Sequence, residues 1–344
     1  VASEVGIGVI GLGFMGHRFA RFVSQIEGVR LAGVCDVDAN RAKAVGEELA
    51  VPFFQDAESL ARASGVQGVI IATPEDRHVE PAVAALSNGV AVLIEKPIAH
   101  SLEAARTIER AATEAGVPAM VGHLLRFEAR WIGAWQRLSA GQIGDVVSIS
   151  TRRVGNVRDQ DVLRGRTTIP LYYGVHDLDV MRWFAGSEAT TIYAQRRAGA
   201  LRVHGYDIDD VYHAVINFEN GVLGAAELGW HIPPEALPAR SSGVTVVGTR
   251  GFIRIEQGES GLECWTPDGL DRALDTTFWL ESYGVPGGAM GLEIRHFADL
   301  IRGAAEPAIT LQDAIEALRL SLAMEESATR GQPVALAEFG RVED

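Results

Sequence analysis

The sequence predicts an α/β protein with an N-terminal Rossmann dinucleotide-binding domain and a C-terminal α+β domain built on a large, mostly antiparallel sheet. Three observations carry this. From Val5 an apolar run, a glycine turn, an amphipathic stretch and a second apolar run follow in the order strand, turn, helix, strand. Short unbroken apolar runs then alternate with helical stretches up to about residue 122, the pattern of parallel strands buried on both faces. Beyond Gly122 strand-like runs follow one another with little helix between them. The expected domains are therefore 1–122, a nucleotide-binding domain, and 123–344, a domain for substrate binding and oligomerisation. A chain of 344 residues has room for both, since one domain takes roughly 150 residues.

In the first domain Phe19, Phe22, Val23 and Ile26 recur at helical spacing, and Leu31 to Cys35 form a buried strand. A third strand, Val69 to Ala72, ends in Thr73-Pro74 and precedes a helix from about Val79 to Leu86. The fourth, Val90 to Ile94, ends in Glu95-Lys96-Pro97. A helix from about Leu102 to Ala115 and a strand from Pro118 to Val121 complete the domain. Further on, a helix is expected over Arg126 to Leu138, a turn at Gly141 to Gly144, the strand VVSISTRR, and a helix around His176 to Ala185. Strands follow at Thr191 to Gln195, Tyr212 to Phe218, Val222 to Leu228, Val244 to Val247 and Phe252 to Glu256, with Glu219-Asn220-Gly221 as a hairpin turn. Helices over Leu292 to Ile301 and Leu311 to Ala328 close the chain, the last free to pack back on the Rossmann domain. These helices are too few to cover both faces of such a sheet, so a homodimer or homotetramer is expected.

Composition excludes several classes of function. A net charge of −14 gives no global positive field for nucleic acid or anionic lipid. With 47% hydrophobic and 22% charged residues the chain can bury a core and is not disordered. The two cysteines, Cys35 and Cys264, have no metal-ligand spacing, and reduced thiols in a cytoplasmic protein are expected. No secretory leader pattern opens the sequence, no run is long enough to span a bilayer, and no metal is expected.

The turn after the first strand carries Gly11, Gly13 and Gly16, a GxGxxG pattern enclosing Phe14 and Met15. Gly11 permits the tight turn, Gly13 lets the backbone approach a pyrophosphate, and Gly16 lets helix and strand pack closely. Asp36 ends the second strand about 20 residues later, where a carboxylate bonds an adenosine ribose and repels a 2′-phosphate. NAD is thus favoured over NADP, although Arg41 can reach a phosphate. Thr73, Pro74, Glu95 and Lys96 end strands on the side where open parallel sheets bind ligands, and belong near the nicotinamide. In LYYGVHDLDVMRWFAG, Tyr172, His176 and Asp179 fall on neighbouring helical positions, a cluster suited either to chemistry or to a histidine held by Asp177 or Asp179.

Together GLGFMG with Asp36, TPEDRH from Thr73 to His78, EKP at 95–97, GHLLRF from Gly122, GQIG at 141–144 and VHDLD at 175–179 resemble the glucose–fructose oxidoreductase, inositol dehydrogenase and rhizopine-catabolism (Gfo/Idh/MocA) family. The segment LQDAIEALRLSLAMEESATRGQPV is similar to that family's closing helix, so the resemblance spans nearly the whole chain. It implies an NAD-dependent dehydrogenase acting on a secondary alcohol of a sugar, sugar derivative or cyclitol. Lys96 becomes the catalytic lysine and His176 the acid–base histidine, with His78 beside the cofactor. Many relatives carry an aspartate four residues before the histidine, and here that position is Tyr172, which joins Asp179, Arg126 and Arg166 as a substrate-contact candidate. Alternatives are a nucleotide-sugar 3-dehydrogenase, an enzyme that cleaves glycosides through transient oxidation by a held NAD, and a non-catalytic NAD-binding protein. Arg152, Arg164 and His123 are weaker candidates, and Trp183 and Phe184 are expected in the core.

Overall fold

The computed structural model describes residues 4–157, 159–163, 165–233, 240–257, 264–266, 269–271 and 277–340. Two compact units compose it, Val1–Glu128 with Thr276–Ile315 and Ala129–Asp275 with Glu316–Asp344.

Along the first unit run β1 (Val5–Ile10), α1 (Phe14–Val23), β2 (Val29–Cys35), α2 (Ala39–Leu49), β3 (Phe53–Phe54), α3 (Ala57–Ala61), β4 (Gly68–Ile71), α4 (Val79–Ser87), β5 (Ala91–Glu95), α5 (Leu102–Ala115) and β6 (Ala119–Gly122). The second unit holds α6 (Ala129–Ser139), β7 (Val146–Asn156), α7 (Asp159–Leu163), α8 (Val175–Ala185), β8 (Ala189–Arg197), β9 (Val211–Phe218), β10 (Leu223–Ile232), β11 (Arg240–Gly248), β12 (Phe252–Gln257), β13 (Cys264–Thr266) and β14 (Gly269–Asp271). The chain then supplies β15 (Glu281–Ser282), β16 (Val285–Pro286) and α9 (Gly288–Ile301) to the first unit, and ends with α10 (Leu311–Arg330) and β17 (Val334–Ala335).

Six parallel strands in the order β3-β2-β1-β4-β5-β6 form the first sheet. This is the Rossmann order, with the reversal between β1 and β4. Ile7, Val9, Val69, Ile70, Ile71, Val92, Ile94 and Val121 are buried, as helices on both faces of a parallel sheet require. Where the sequence suggests one cut near residue 122, the unit also takes in 276–315. The reason is packing: a Cβ built on Gly68 would lie 2.5 Å from Ile301 Cδ1 and 3.0 Å from Phe297 Cζ, so α9 seats directly on the start of β4.

The second sheet has seven strands, β12-β11-β7-β10-β9-β8-β17, and only β7 with β10 pair in parallel. The hairpin expected at Glu219-Asn220-Gly221 joins β9 to β10, with Gly221 at φ +85° supplying the left-handed turn residue. Burial alternates along β9: Tyr212, Ala214, Ile216 and Phe218 face inward. Helices α8 and α10 cover this face. Met181 Sδ lies 3.3 Å from where Gly224 would carry a Cβ, and Ser327 Oγ accepts from the Ala194 N–H at 2.9 Å. The opposite face carries Tyr193, Val215 and Thr245 around an open groove of about 560 Å³. Phe184 is in the core as expected, its ring 6.0 Å from that of Trp131 of α6, whereas Trp183 is only half-buried and stacks 5.7 Å from the exposed Trp135.

Candidate cofactor and catalytic residues

Each glycine of the turn between β1 and α1 has a distinct geometric reason. Gly11 sits at φ +84°, and a Cβ there would lie 2.7 Å from the Thr73 amide nitrogen. On Gly16 a Cβ would lie 1.6 Å from the Gly11 carbonyl oxygen, so helix and turn touch through bare backbone. Gly13 is different, because a Cβ there would meet nothing within 4 Å. It opens onto space, at the N-terminus of a helix that no side chain caps. Backbone N–H groups and the helix dipole there suit a pyrophosphate. Phe14 flanks the turn, exposed, with the Arg18 guanidinium 4.2 Å from its ring centroid and 4.6 Å from that of Trp279.

Asp36, at the end of β2, is 5% exposed. Its carboxylate accepts from the Leu12 N–H at 2.7 Å and the Asp38 N–H at 2.9 Å, and Arg41 donates to it at 3.2 Å. Arg41 also pairs with Asp38 at 3.5 Å. The arginine that the sequence left open for a 2′-phosphate is thus engaged by two carboxylates, which disfavour a further anion there.

The ends of β4 and β5 are tied through His78, which is buried. Its Nε2 lies 2.9 Å from the Thr73 carbonyl, and its Nδ1 3.0 Å from that of Pro97 and 3.2 Å from that of Ile98. Burial holds its pKa below the usual value, so the ring is neutral and has one N–H to share among these carbonyls. The histidine therefore braces the strand ends on either side of Thr73 and Lys96 and has no nitrogen exposed to a cofactor. Thr73 Oγ1 donates to the Arg77 carbonyl at 3.1 Å, and Pro74 starts the short 3₁₀ turn Glu75–Arg77 between them. Glu95 accepts the Lys96 backbone N–H at 3.1 Å, and burial raises its pKa against the opposing pull of Lys96.

Beside them is a residue that no sequence motif singles out. Glu293, on α9, is fully buried, and neither carboxylate oxygen has a hydrogen-bond partner. A Cβ built on Gly122 would lie 3.6 Å from Glu293 Oε1 and 3.6 Å from Glu95 Cα, so the two acids share one pocket. Burial and the charge of Glu95 together push the Glu293 pKa well above the ordinary carboxylate range. Both causes favour its neutral form. A glutamate on an amphipathic helix reads as surface, so the signal was absent.

In the second unit Tyr172 and His176 do not stand on one regular α-helix. Pro170–Gly174 form a π-helical turn that runs directly into α8, with Tyr172 inside the turn and His176 beyond it. Such turns widen the helix and displace side chains from strict four-residue spacing. The Tyr172 ring packs 5.8 Å from Trp230, and both Tyr172 and His176 are partly exposed. Asp177 is removed as a partner for the histidine: fully buried, it accepts from Arg153 Nε at 2.5 Å. Asp179 is buried, and Arg166 is exposed on the loop ahead of the π turn. The Arg126 guanidinium is buried in the first unit, donating to the Ala308 carbonyl at 3.2 Å and lying 3.6 Å from Asp313. Arg152 faces the open groove and pairs with Glu256 at 3.5 Å, His123 is buried, and Arg164 lies outside the described residues. Cys35 is free and buried, while the Cys264 side chain also lies outside the described residues. Among the described residues no group of acids, histidines and cysteines is placed to hold a metal, and no helix is long and apolar enough to cross a membrane.

Two family models match the chain, one for an oxidoreductase family NAD-binding Rossmann fold over residues 5–123 and one for that family's C-terminal alpha/beta domain over 136–336. The chain belongs to the Gfo/Idh/MocA oxidoreductase family. Among the family's members, scyllo-inositol 2-dehydrogenase (NAD(+)) of Bacillus subtilis is 28% identical over 97% of this chain and 96% of its own. The 2,7-anhydro-N-acetylneuraminate hydratase of Escherichia coli is 29% identical over 74% of this chain and 68% of its own. A scyllo-inositol dehydrogenase from Lactobacillus casei, solved with NAD(H) and scyllo-inositol, superposes with a TM-score of 0.83 at 22% identity, covering 98% of this chain and all of the other. The first unit is thus the NAD-binding Rossmann domain of a family oxidoreductase.

Proposed function

We propose that this protein is an NAD-dependent dehydrogenase that oxidises a secondary alcohol of a cyclitol or sugar. The observation that carries this reading is the glycine turn, where Gly13 alone opens onto space while Gly11 and Gly16 are closed by backbone contact. Gly11, Gly13, Phe14, Met15, Gly16 and Asp36 would hold the dinucleotide, and NAD is preferred to NADP because Arg41 is already engaged by Asp36 and Asp38. Bound there, NAD supplies a hydride acceptor. His176 takes the hydroxyl proton, a task suited to an imidazole whose ordinary pKa is about 6.5. The Lys96 ammonium hydrogen-bonds the same oxygen and stabilises the negative charge that develops on it. Tyr172 and Asp179 are the substrate contacts on the histidine's side.

The full-length relationship to an inositol dehydrogenase supports the substrate class. A second reading is favoured by the hydratase among the relatives and by Tyr172 in the aspartate's place: oxidation followed by elimination and re-reduction, with no net change in NAD. Formation of reduced nicotinamide over a panel of inositols, aldoses and anhydrosugars separates the two. A substrate-dependent rise supports the dehydrogenase; product without a rise supports the closed cycle. We further propose a homo-oligomer formed through the open face of the seven-stranded sheet, where Val215 and Leu223 are 45% and 47% exposed. Light scattering giving a single-chain mass would contradict it.

A further inference from the structure

Glu293 is 0% exposed and makes no hydrogen bond through either carboxylate oxygen, so as a packing residue it is a poor choice. An apolar side chain of similar size would fill the space without the cost of burying an unmatched acid. It stands one turn ahead of Phe297 in the buried stripe of α9, the stripe that faces the sheet. There β5 and β6 pair with Glu95 opposite Gly122. Glu293 Oε1 and Glu95 Cα share the space over that glycine, each 3.6 Å from a Cβ built on it.

Three titratable groups therefore lie in order of depth. Glu95 and Lys96 are partly exposed at the end of β5, where the Glu95 carboxylate accepts the Lys96 backbone N–H and feels the Lys96 charge. Glu293 lies behind Glu95, out of water. Charged groups on the surrounding elements are engaged elsewhere: Arg126 with Asp313, Arg21 with Glu281, Arg18 with the rings of Phe14 and Trp279, and His296 with the Glu306 carbonyl. His123, next to Gly122, is buried. What acts on Glu293 is its burial and the charge of Glu95. In so dry a place a charge formed on Glu293 is weakly screened, and it reaches Lys96 through Glu95.

We propose that Glu293 is a positioning residue for Lys96, acting through Glu95: as pH rises it yields its proton before the ammonium does, and the charge so formed behind Glu95 holds the ammonium protonated. The proposal rests on the dehydrogenase reading for the role of Lys96, yet its first test needs neither cofactor nor turnover. The chain has two lysines, Lys43 and Lys96, and Lys43 is exposed, 3.7 Å from Glu47. Lysine labelled with carbon-13 at Cε thus gives two NMR signals, one of them a control. In the full chain without NAD, the Lys96 signal is expected to titrate in two steps, a minor one as Glu293 ionises and then its own. Glu293→Gln, neutral at every pH, should remove the first step and lower the midpoint of the second by about half a pH unit or more. Lys43 should not move, and thermal melting verifies the fold. A one-step curve in the wild type would overturn the proposal even where the variant fails to fold, and so would identical Lys96 curves in the wild type and folded Glu293→Gln. In turnover with scyllo-inositol, the alkaline limb of kcat/KM should fall by the same interval in Glu293→Gln. An unmoved limb beside a moved Lys96 signal would deny Glu293 its part in the reaction. Absent turnover beside an intact two-step titration would count against the dehydrogenase reading and leave the coupling of Glu293 to Lys96 supported.

Discussion

The Leu12 backbone N–H donates to Asp36 Oδ2 at 2.7 Å, so the glycine turn and the acidic end of β2 form one hydrogen-bonded piece. Asp36 thus holds the turn, and in the proposed reading the same carboxylate meets a ribose. Asp36→Ala is expected to weaken NAD binding, relax discrimination against NADP and lower stability by about 1–3 kcal/mol through the unmatched Leu12 and Asp38 amides. Calorimetric titration with each dinucleotide, paired with chemical denaturation, checks this. An unchanged NAD to NADP ratio would remove the ribose role.

Gly13→Ala and Gly16→Ala differ by one methyl each yet should behave oppositely. The first places its Cβ in open space and should leave the melting temperature near wild type while weakening NAD at least tenfold. The second drives a Cβ against the Gly11 carbonyl and should destabilise the fold by about 1–3 kcal/mol or more. Melting curves and dinucleotide titrations of the two variants side by side provide the check.

How much of this the sequence disclosed depends on what each residue's signal was. The glycine triplet and Asp36 were legible because their spacing has meaning only between a strand and a helix. Helix α2 and the short α3 escaped notice: Ala39–Leu49 is polar, and its start is set by the Asp38 side chain accepting from the Asn40 and Arg41 amides. The π turn at Pro170–Gly174 was hidden, because side-chain periodicity over five residues does not separate it from α-helix. Arg153 and Glu293 were missed for one reason, that a charged residue's burial is a property of its tertiary neighbours.

Glu293 gives a pH signature. Its folded pKa is raised, so the native state holds a proton that the unfolded chain releases near pH 4 to 5. Its stabilising contribution is therefore present below that range and declines as pH rises towards the folded value. Glu293→Gln removes this dependence. Relative to the variant, the wild type should lose stability with rising pH, by up to about 1.4 kcal/mol for each pH unit in the window. Urea titrations from pH 5 to about pH 8 decide it, and parallel curves for the two proteins would show that Glu293 is ionised throughout.

The Arg153–Asp177 pair is buried on both sides, with side-chain exposures of 6% and 0%. Asp177→Ala strands a guanidinium and should cost about 3–5 kcal/mol of stability. Because Asp177 is engaged by Arg153 rather than by His176, the pH dependence of turnover in the folded fraction should be unaltered. A shifted acid limb would instead tie Asp177 to the histidine.

The central claim is hydride removal from a carbinol carbon assisted by Lys96 and His176. Its most direct test is incubation with NAD and scyllo-inositol deuterated at carbon, following the label by mass spectrometry in the reduced nicotinamide, for the wild type, Lys96→Ala and His176→Ala. Deuterium in the nicotinamide and a ketone product are expected with the wild type. Transfer slowed by about 10²-fold or more is expected in each variant, with NAD affinity nearly unchanged. Label transfer at wild-type rates in both variants would contradict the catalytic assignment, and no transfer from any deuterated inositol or aldose tried would contradict the dehydrogenase itself.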